Sequence, residues 1–246
     1  MTATDLSQRY AKPPIVEAIC EIRLSEPAAA NKVRKSANWL KGRYADLNAE
    51  VQAEVKVDFA SRSASFTDAG EIYRMTSTDQ TNLCVLAPLS LAWVKRAPYD
   101  GWDSFFERLS AELPIVLKGY GSNTLARVGL RYVNRIDVKL VDSLARHEDY
   151  LKFRIVHGDL LEPTNGFQWQ LVKEFNDVNL KATVQSGVVE QEIPGFAGFS
   201  FDIDVYCDTS LPRNIEGILG KLTQMRDLKN RIFEAGITEQ AREGYK

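Results

Sequence analysis

Residues 16–24 read Val-Glu-Ala-Ile-Cys-Glu-Ile-Arg-Leu, and residues 130–138 read Leu-Arg-Tyr-Val-Asn-Arg-Ile-Asp-Val. Both stretches largely alternate apolar and polar side chains, which is typical of a β-strand with one buried face. Their polar faces carry opposite charges, since Glu17 corresponds to Arg131 and Glu21 to Arg135. We interpret the two stretches as the first strands of two repeated units.

The hydrophobic period and the Gly and Pro residues predict the other elements. In the first half we expect a strand at 15–24 and then a helix whose apolar stripe runs from Val33 to Leu47. Strands should follow near 51–60, 71–76, 82–87 and 91–95. A second helix should start near Asp100, and Pro114 should end or kink it. In the second half we expect a strand at 125–139, a weak short helix at 143–151, strands near 153–156, 166–175, 179–190 and 199–207, a long helix at 213–235 and a terminal helix capped by Thr238.

A β-α-β4-α unit that occurs twice, at 1–121 and at 122–246, predicts an α+β fold. In its order of elements the chain resembles the pseudo-duplicated saddle of the TATA-binding protein, a curved antiparallel sheet with helices on one face. The resemblance implies that the two first strands lie side by side. The second of them carries an arginine row formed by Arg127, Arg131 and Arg135. Glu17 and Glu21 would pair with this row, so we expect a polar concave face.

Three short motifs resemble those of a sporadically distributed, functionally uncharacterised family of bacterial proteins. The first is Tyr10 followed by Pro-Pro-Ile-Val-Glu-Ala at 13–18, and the second is Gly-Leu-Arg-Tyr-Val-Asn-Arg-Ile at 129–136. The third runs from Phe233 to Glu239 and ends in Ile-Thr-Glu. The resemblance implies one continuous module of bacterial origin, and it supplies no catalytic residues.

Composition and charge restrict the classes of function. The chain has 246 residues, of which 44% are hydrophobic, so it can bury a sizeable core. Its 31 basic and 33 acidic side chains give a formal net charge of -2, so no overall positive field attracts nucleic acid or an anionic membrane. The longest apolar stretch, 83–94, is too short for a membrane helix, and the first residues lack the pattern of a signal peptide. We therefore expect a cytoplasmic protein.

Few residues fit a catalytic pattern. Cys20, Cys84 and Cys207 each lie in an apolar strand, which favours reduced core thiols over disulfides. His147 and His157 have no cysteine close in sequence, so neither a zinc site nor a Cys-His nucleophile is indicated. No phosphate-binding glycine loop, dinucleotide fingerprint or serine nucleophile elbow occurs. We predict no cofactor.

The candidate metal ligands are carboxylates on two neighbouring strands. Asp202 and Asp204 share the polar face of one strand, and Glu190 ends the strand before it. Such oxygen ligands bind divalent cations, and the arginine row would then bind phosphate. Alternatively, these charges form the solvated face of an antiparallel sheet. Asn134 lies on the apolar face of its strand, where we expect a structural hydrogen-bond anchor.

The absence of a coherent catalytic set and the polar central strands favour binding over catalysis. We expect a non-catalytic binding or adaptor subunit whose site is the concave sheet face, formed by Glu17, Glu21 and the arginine row. Its expected partner is another protein or a second copy of the chain. Two alternatives stay open. One is a metal-dependent enzyme that acts on phosphate-containing substrates, and the other is a nucleic-acid-binding protein, which the net acidic charge disfavours.

Overall fold

The computed structural model describes residues 10–58, 63–121, 124–142, 145–154 and 166–246. Within these residues the strands are β1 (Ile15–Leu24), β2 (Asp46–Asp58), β3 (Ser63–Thr76), β4 (Asn82–Leu86), β5 (Ser90–Arg96), β6 (Leu125–Lys139), β7 (Gln168–Phe175), β8 (Leu180–Val189) and β9 (Phe196–Cys207). The α-helices are α1 (Ala30–Leu40), α2 (Trp102–Tyr120), α3 (Ile215–Gly236) and α4 (Glu239–Glu243), and short 3-10 helices occur at Lys41–Arg43 and His147–Asp149.

The strands form one sheet in the order β2-β3-β4-β5-β1-β6-β9-β8-β7. Antiparallel pairing joins β2 to β3, β3 to β4, β4 to β5, β7 to β8 and β8 to β9. The two first strands, β1 and β6, are neighbours in this order. Ser25 N donates to Thr124 O and Arg135 N donates to Pro14 O, so each end of β1 meets the opposite end of β6 and these strands are antiparallel too. The predicted α+β class and antiparallel sheet are therefore confirmed.

Contacts along the chain define two compact units. The first unit contains Met1–Ala18, Gly129–Cys207 and Gly220–Lys246, and the second contains Ile19–Val128 and Asp208–Leu219. Each unit takes segments from both halves of the sequence. The repeat boundary between residues 121 and 122 stays a prediction.

In the first unit, α3 packs on the buried face of β6 and β9. The buried apolar side chains of the strands include Leu130, Tyr132, Phe201, Ile203 and Val205, and those of the helix include Leu222, Met225, Leu228 and Phe233. Each such side chain contributes roughly 1.5–3 kcal/mol when it is fully removed from water. The ring centroids of Phe201 and Phe233 lie 6.1 Å apart. A Cβ at Gly236 would lie 2.5 Å from the Phe201 ring, so glycine at this position permits the close approach.

In the second unit, α1 and α2 pack closely against each other. A Cβ at Gly119 of α2 would lie 2.0 Å from Ser36 Oγ of α1, so this contact also requires glycine. The sheet contributes a buried row of Met75, Cys84 and Trp93, which are directly opposite one another on β3, β4 and β5. The buried face predicted for β1, with Ala18, Cys20, Ile22 and Leu24, is also confirmed.

The first helix is shorter than its apolar stripe predicts. It ends at Leu40, and the chain turns through Lys41–Arg43, where Gly42 has the low helix propensity of glycine. Tyr44 then adopts an extended conformation, and Leu47 belongs to β2, opposite Met75. Strand pairing overrides the helical period at this position.

Of the two effects expected of Pro114, the end of the helix does not occur, because α2 continues to Tyr120. A kink at Pro114 stays a prediction. Proline removes one backbone donor, but the buried Val116 and Tyr120 beyond it hold the last turns against the rest of the unit. The strand expected near 71–76 begins earlier, because Asp-Ala-Gly at 68–70 lies inside β3. At this point the register with β2 shifts, and Gly70 has a positive φ of 92°.

The start of the second half also differs from the prediction. The helix expected at 143–151 is reduced to the 3-10 helix His147–Asp149, and residues 143–144 lie outside the described residues. Of the strand expected at 153–156, residues 155–156 are likewise not described, and residues 153–154 are not part of a strand. Leu151 instead forms an isolated antiparallel bridge with Ile237.

Two further expectations concern the whole chain. No helix in the described part of the chain is long and apolar enough to cross a membrane. Cys20, Cys84 and Cys207 are buried thiols that form no disulfide with one another, as predicted.

Candidate functional site

The strand period places charged side chains on the face of β6 and β9 opposite the core of the first unit. We define the polar face of the first unit as Arg131, Arg135, Asp137, Asp202 and Asp204. On β9 Phe201, Ile203 and Val205, which alternate with these aspartates, are buried, which confirms the prediction that the two carboxylates lie on the opposite face. The alternation of side chains along each strand thus determines which residues form the polar face.

Arg131 and Asp202 form a bidentate ion pair on this face. Arg131 Nε lies 2.9 Å from Asp202 Oδ1 and 3.0 Å from Oδ2, and Nη2 lies 2.5 Å from Oδ2. The hydrogen bonds that Arg131 donates to Asp202 raise the pKa of Arg131, and Asp204 and Glu17 add attraction. The Arg131 side chain is 45% exposed whereas that of Asp202 is 10% exposed, so a buried carboxylate fixes an accessible guanidinium in one orientation.

Arg135 is held by three acceptors. Nε donates to Asp137 Oδ1 at 3.0 Å, Nη1 to Glu192 Oε1 at 2.7 Å, and Nη2 to the Glu190 carbonyl oxygen at 2.8 Å. A Cβ at Gly198 would lie 2.7 Å from Nη2, so a glycine here makes room for the guanidinium. Arg135 therefore ties β6 to the segment between β8 and β9.

The predicted pairing of the arginine row with β1 is confirmed for one arginine. In the second unit, Arg127 Nη1 donates to Glu21 Oε2 at 2.7 Å, and Arg23 Nε contacts the same oxygen at 2.9 Å. In the first unit, Arg131 and Arg135 bond to carboxylates of β9 and of the segment before it, and Glu17 also attracts Arg131. The row is thus divided between the two units, and each arginine has a carboxylate partner.

The candidate metal ligands do not gather around one point. Asp202 is opposite Gln185 on β8, and Glu190 follows the last residue of that strand, so it lies roughly 16 Å farther along the strand direction at the usual rise per residue. Asp202 is already engaged by Arg131. Among the described residues, no group of three or more His, Cys, Asp or Glu side chains is placed to hold a metal ion.

Of the two histidines, the structure describes His147. The ring centroid of His147 lies 4.9 Å from that of Phe167 and 5.2 Å from that of Phe153, so the imidazole belongs to an aromatic cluster. Among the described residues, His147 Nε2 is buried and has no hydrogen-bond partner. His157 lies outside the described residues. Asn134 is the structural anchor that was predicted, since Nδ2 donates to the Phe201 carbonyl oxygen at 2.7 Å.

Sequence reasoning missed a buried carboxylate in the second unit. Glu112 is 3% exposed, and its Oε2 accepts hydrogen bonds from Tyr44 Oη at 2.7 Å and Trp93 Nε1 at 3.0 Å. The helical spacing in the sequence indicates this burial, because Glu112 continues the buried stripe that Phe105 and Leu109 begin on α2. Because glutamate is charged, the sequence alone did not predict that Glu112 is buried on that stripe.

A second missed set joins the two ends of the chain in the first unit. We call Tyr10, Glu234 and Arg242 the terminal clasp. Glu234 Oε1 accepts from Tyr10 Oη at 2.8 Å, and Glu234 Oε2 accepts from Arg242 Nε at 2.9 Å. Glu234 and Arg242 are both buried, and burial together with Glu234 raises the pKa of Tyr10. The clasp brings the first and third motifs of the sequence together, because Phe233 also lies edge-on to Tyr10.

The third missed group is Lys229 of α3. It is 8% exposed, and its Nζ lies 4.0 Å from the centroid of the Tyr132 ring. It lies on the buried helical stripe between Met225 and Phe233. Because lysine is charged, the sequence alone did not predict that Lys229 is buried.

Comparison with known proteins adds no family to this description. The sequence matches no family model and no curated protein.

Proposed function

We propose that the chain is a non-catalytic binding or adaptor subunit of the bacterial cytoplasm, and that it presents the polar face of the first unit to another protein. Arg131 and Arg135 are the central contacts of this surface. Glu21 and Arg127 in the second unit form a separate ion pair that we include as a secondary candidate contact.

The observation that supports this proposal is the fixed orientation of Arg131. An exposed arginine normally loses conformational freedom when it binds a partner. Asp202 already restricts Arg131 through a bidentate pair, while nearly half of the Arg131 side chain stays accessible. Arginine is enriched among the residues that dominate protein interfaces, and restricting it before binding reduces the entropy that binding costs.

The balance of charge favours a protein partner over nucleic acid. The polar face contains two arginines and three aspartates, and Glu17 and Glu192 add negative charge beside them. A nucleic-acid site gains most of its affinity from basic side chains that neutralise phosphates. Here the basic groups are already neutralised by carboxylates, so phosphate is a poor ligand for this face.

Affinity purification from the native host tests the proposal. Tagged wild-type chain should retain a protein in a fixed ratio, and the eluate is analysed for protein, nucleic acid and metal together. Arg131→Ala should reduce recovery of that protein at least about tenfold, as expected for a central interface arginine. Arg231→Ala is the matched control, because Arg231 is an exposed arginine on α3 and not part of the polar face.

Two outcomes would contradict the proposal. One is recovery of the same partner at the same ratio with Arg131→Ala and Arg135→Ala, provided that both variants keep the circular dichroism spectrum of the wild type. The other is turnover of a substrate by the purified chain alone. Metal or nucleotide in the eluate without a protein would favour an enzyme instead.

We also infer that the fold arose from two β-α-β4-α repeats, at 1–121 and 122–246, with the element order of the TATA-binding protein. The strand order supports this inference. It runs β1-β5-β4-β3-β2 away from the centre on one side and β6-β9-β8-β7 on the other. A crystal structure would test it, because the two halves should superpose strand by strand from β1 and β6 outward.

A further inference from the structure

The strand β7 forms one edge of the sheet in the first unit. It is the last strand in the sheet order, and among the described residues its partner is β8. Six of its eight residues are exposed, and they include Leu171 at 63% and Val172 at 58%. Natural sheets often protect an edge with proline, a bulge or a very short strand. Because β7 contains no proline and pairs with β8 without a shift in register, the described residues leave this edge open to a further strand.

The hydrogen bonds to β8 determine which backbone groups of β7 point outward. Val188 N donates to Phe167 O at 3.1 Å, so these two residues form a hydrogen-bonded pair just before β7 begins. Hydrogen-bonded and non-hydrogen-bonded pairs alternate along an antiparallel ladder, so the even-numbered residues of β7 turn their N–H and C=O groups away from β8. The residues that carry these outward groups are Gln168, Gln170, Val172 and Glu174.

A second copy of β7 would satisfy all of these outward groups in one register. The register is antiparallel and centred on Leu171, so that Gln168 lies opposite Glu174 of the second copy. Gln170 then lies opposite Val172, and each pair occurs twice because the two copies are equivalent. A register centred on Val172 instead would leave Gln168 beyond the end of the second strand. In the register centred on Leu171, the two exposed leucine side chains also cover each other, which removes apolar surface from water.

The charged side chains of the edge fit the same register. Lys173 would lie opposite the Trp169 ring of the second copy, and an ammonium group is attracted to the face of an aromatic ring. Glu174 already pairs with Lys181 of β8 at 3.3 Å, and its side chain is 60% exposed. It would also accept a hydrogen bond from the Gln168 amide of the second copy. Each charged residue of β7 thus meets an attractive group and not a like charge.

We propose that β7 is a dimerisation edge, and that two copies of the chain pair antiparallel about a two-fold axis at Leu171. The axis is perpendicular to the sheet at this point, because directly opposite residues of an antiparallel pair point to the same side. The contact uses the same surface on both copies, so it closes after two copies. The polar faces of the two first units then point to the same side of the joined sheet. The pairing does not depend on what the polar face binds.

Sedimentation velocity of the full chain tests the dimer. A contact between two edge strands is small for a protein interface, so we expect a reversible dimer with a Kd of about 1–100 µM. Leu171→Lys should raise this Kd at least about tenfold, because it places two ammonium groups opposite each other at the axis and removes the apolar contact. Val141→Lys is the matched control, since Val141 is also 63% exposed and lies outside β7, and it should leave the Kd unchanged.

Cysteine crosslinking tests the register. The two Cα atoms of a non-hydrogen-bonded pair lie about 4.5 Å apart, which is within the range that a disulfide spans. Leu171→Cys should therefore give a disulfide-linked dimer on mild oxidation. In Val172→Cys the two cysteines would lie on the diagonal, about 7–8 Å apart, so the yield should be at least about tenfold lower. Wild-type chain should give no crosslink, because its three thiols are buried.

Three outcomes would overturn the proposal. The first is a wild-type chain that sediments as a monomer at about 300 µM, well above the expected Kd, which would leave the edge to a strand of another protein. The second is a dimer that Leu171→Lys does not weaken, since that dimer would use another surface. The third is equal crosslinking of Leu171→Cys and Val172→Cys. Because the first measurement uses the wild-type chain alone, failure of a variant to fold does not prevent the test.

Discussion

Lys229 occupies a core position in α3 at which an apolar side chain would be expected. Burial lowers its pKa to about 7, whereas lysine in an unfolded chain has a pKa of about 10.4. Below pH 7 both states carry the proton, and the folded state bears the full cost of the buried charge. Between pH 7 and 10 the unfolded state holds more protons than the folded state, so the free energy of unfolding rises with pH.

Replacing Lys229 with Met should remove this dependence. We expect Lys229→Met to be more stable than the wild type at pH 6, by up to about 4 kcal/mol. The difference should shrink steadily toward pH 10. Urea unfolding of both proteins across this range measures it. A difference that stays constant with pH would show that Lys229 is not titrating in this window.

Glu112 is the other charged residue in a core position, and its role is that of an acceptor. Glu112→Ala should lower the free energy of unfolding by about 2–4 kcal/mol, because the Tyr44 hydroxyl and the Trp93 indole N–H both lose their buried partner. Glu107→Ala, at an exposed position of the same helix, should change it by less than about 0.5 kcal/mol. Equal effects in urea unfolding would contradict this role.

At the scale of elements, the terminal clasp fixes the end of α3 to α4 and to the segment that leads into β1. Besides the buried ion pair, Lys12 N donates to the Tyr245 carbonyl oxygen at 3.0 Å. The cap of α4 was predicted correctly: Thr238 is the N-cap, and its Oγ1 accepts from Ala241 N at 3.3 Å. A helix of five residues is not stable alone, so these contacts hold it in place.

Removing one partner of the buried ion pair between Arg242 and Glu234 should lower the free energy of unfolding more than removing both partners. Arg242→Met is expected to lower the free energy of unfolding by about 3–5 kcal/mol, because it leaves the Glu234 carboxylate buried and unpaired. The double variant Arg242→Met, Glu234→Met should be more stable than that single variant. A double-mutant cycle in urea measures the coupling, and purely additive effects would argue against a coupled pair.

At the scale of the whole molecule, the three buried thiols report on global stability. Burial raises the pKa of Cys20 to about 12 and holds that of Cys84 well above its ordinary value, so neither is a reactive thiolate in the folded protein. Cys207 is 1% exposed. We expect an aromatic disulfide reagent to label all three cysteines in denaturant and to label the native chain only as fast as it opens. Rapid labelling of any one of them in the native state would contradict a closed core.

The fold could be predicted from the sequence where structure depends on local periods. The bounds of β6, the buried face of β1 and the cap of α4 follow from alternation and capping, which involve residues only a few positions apart. Predictions failed where pairing with distant residues overrides the local signal. Leu47 continues a helical stripe, for example, but it is held in β2 opposite Met75.

The candidate site, too, could be predicted from the sequence only in part. The sequence by itself determined that charged residues line one face of β1, β6 and β9, because a strand turns every second side chain to the same side. Only the tertiary structure decided that Arg131 bonds to Asp202, that Lys229 and Glu112 are buried, and that Tyr10 meets Glu234 from the other end of the chain. The physical reason is that a charged side chain carries no local signal of its partner, and packing between distant segments sets both its burial and its contacts.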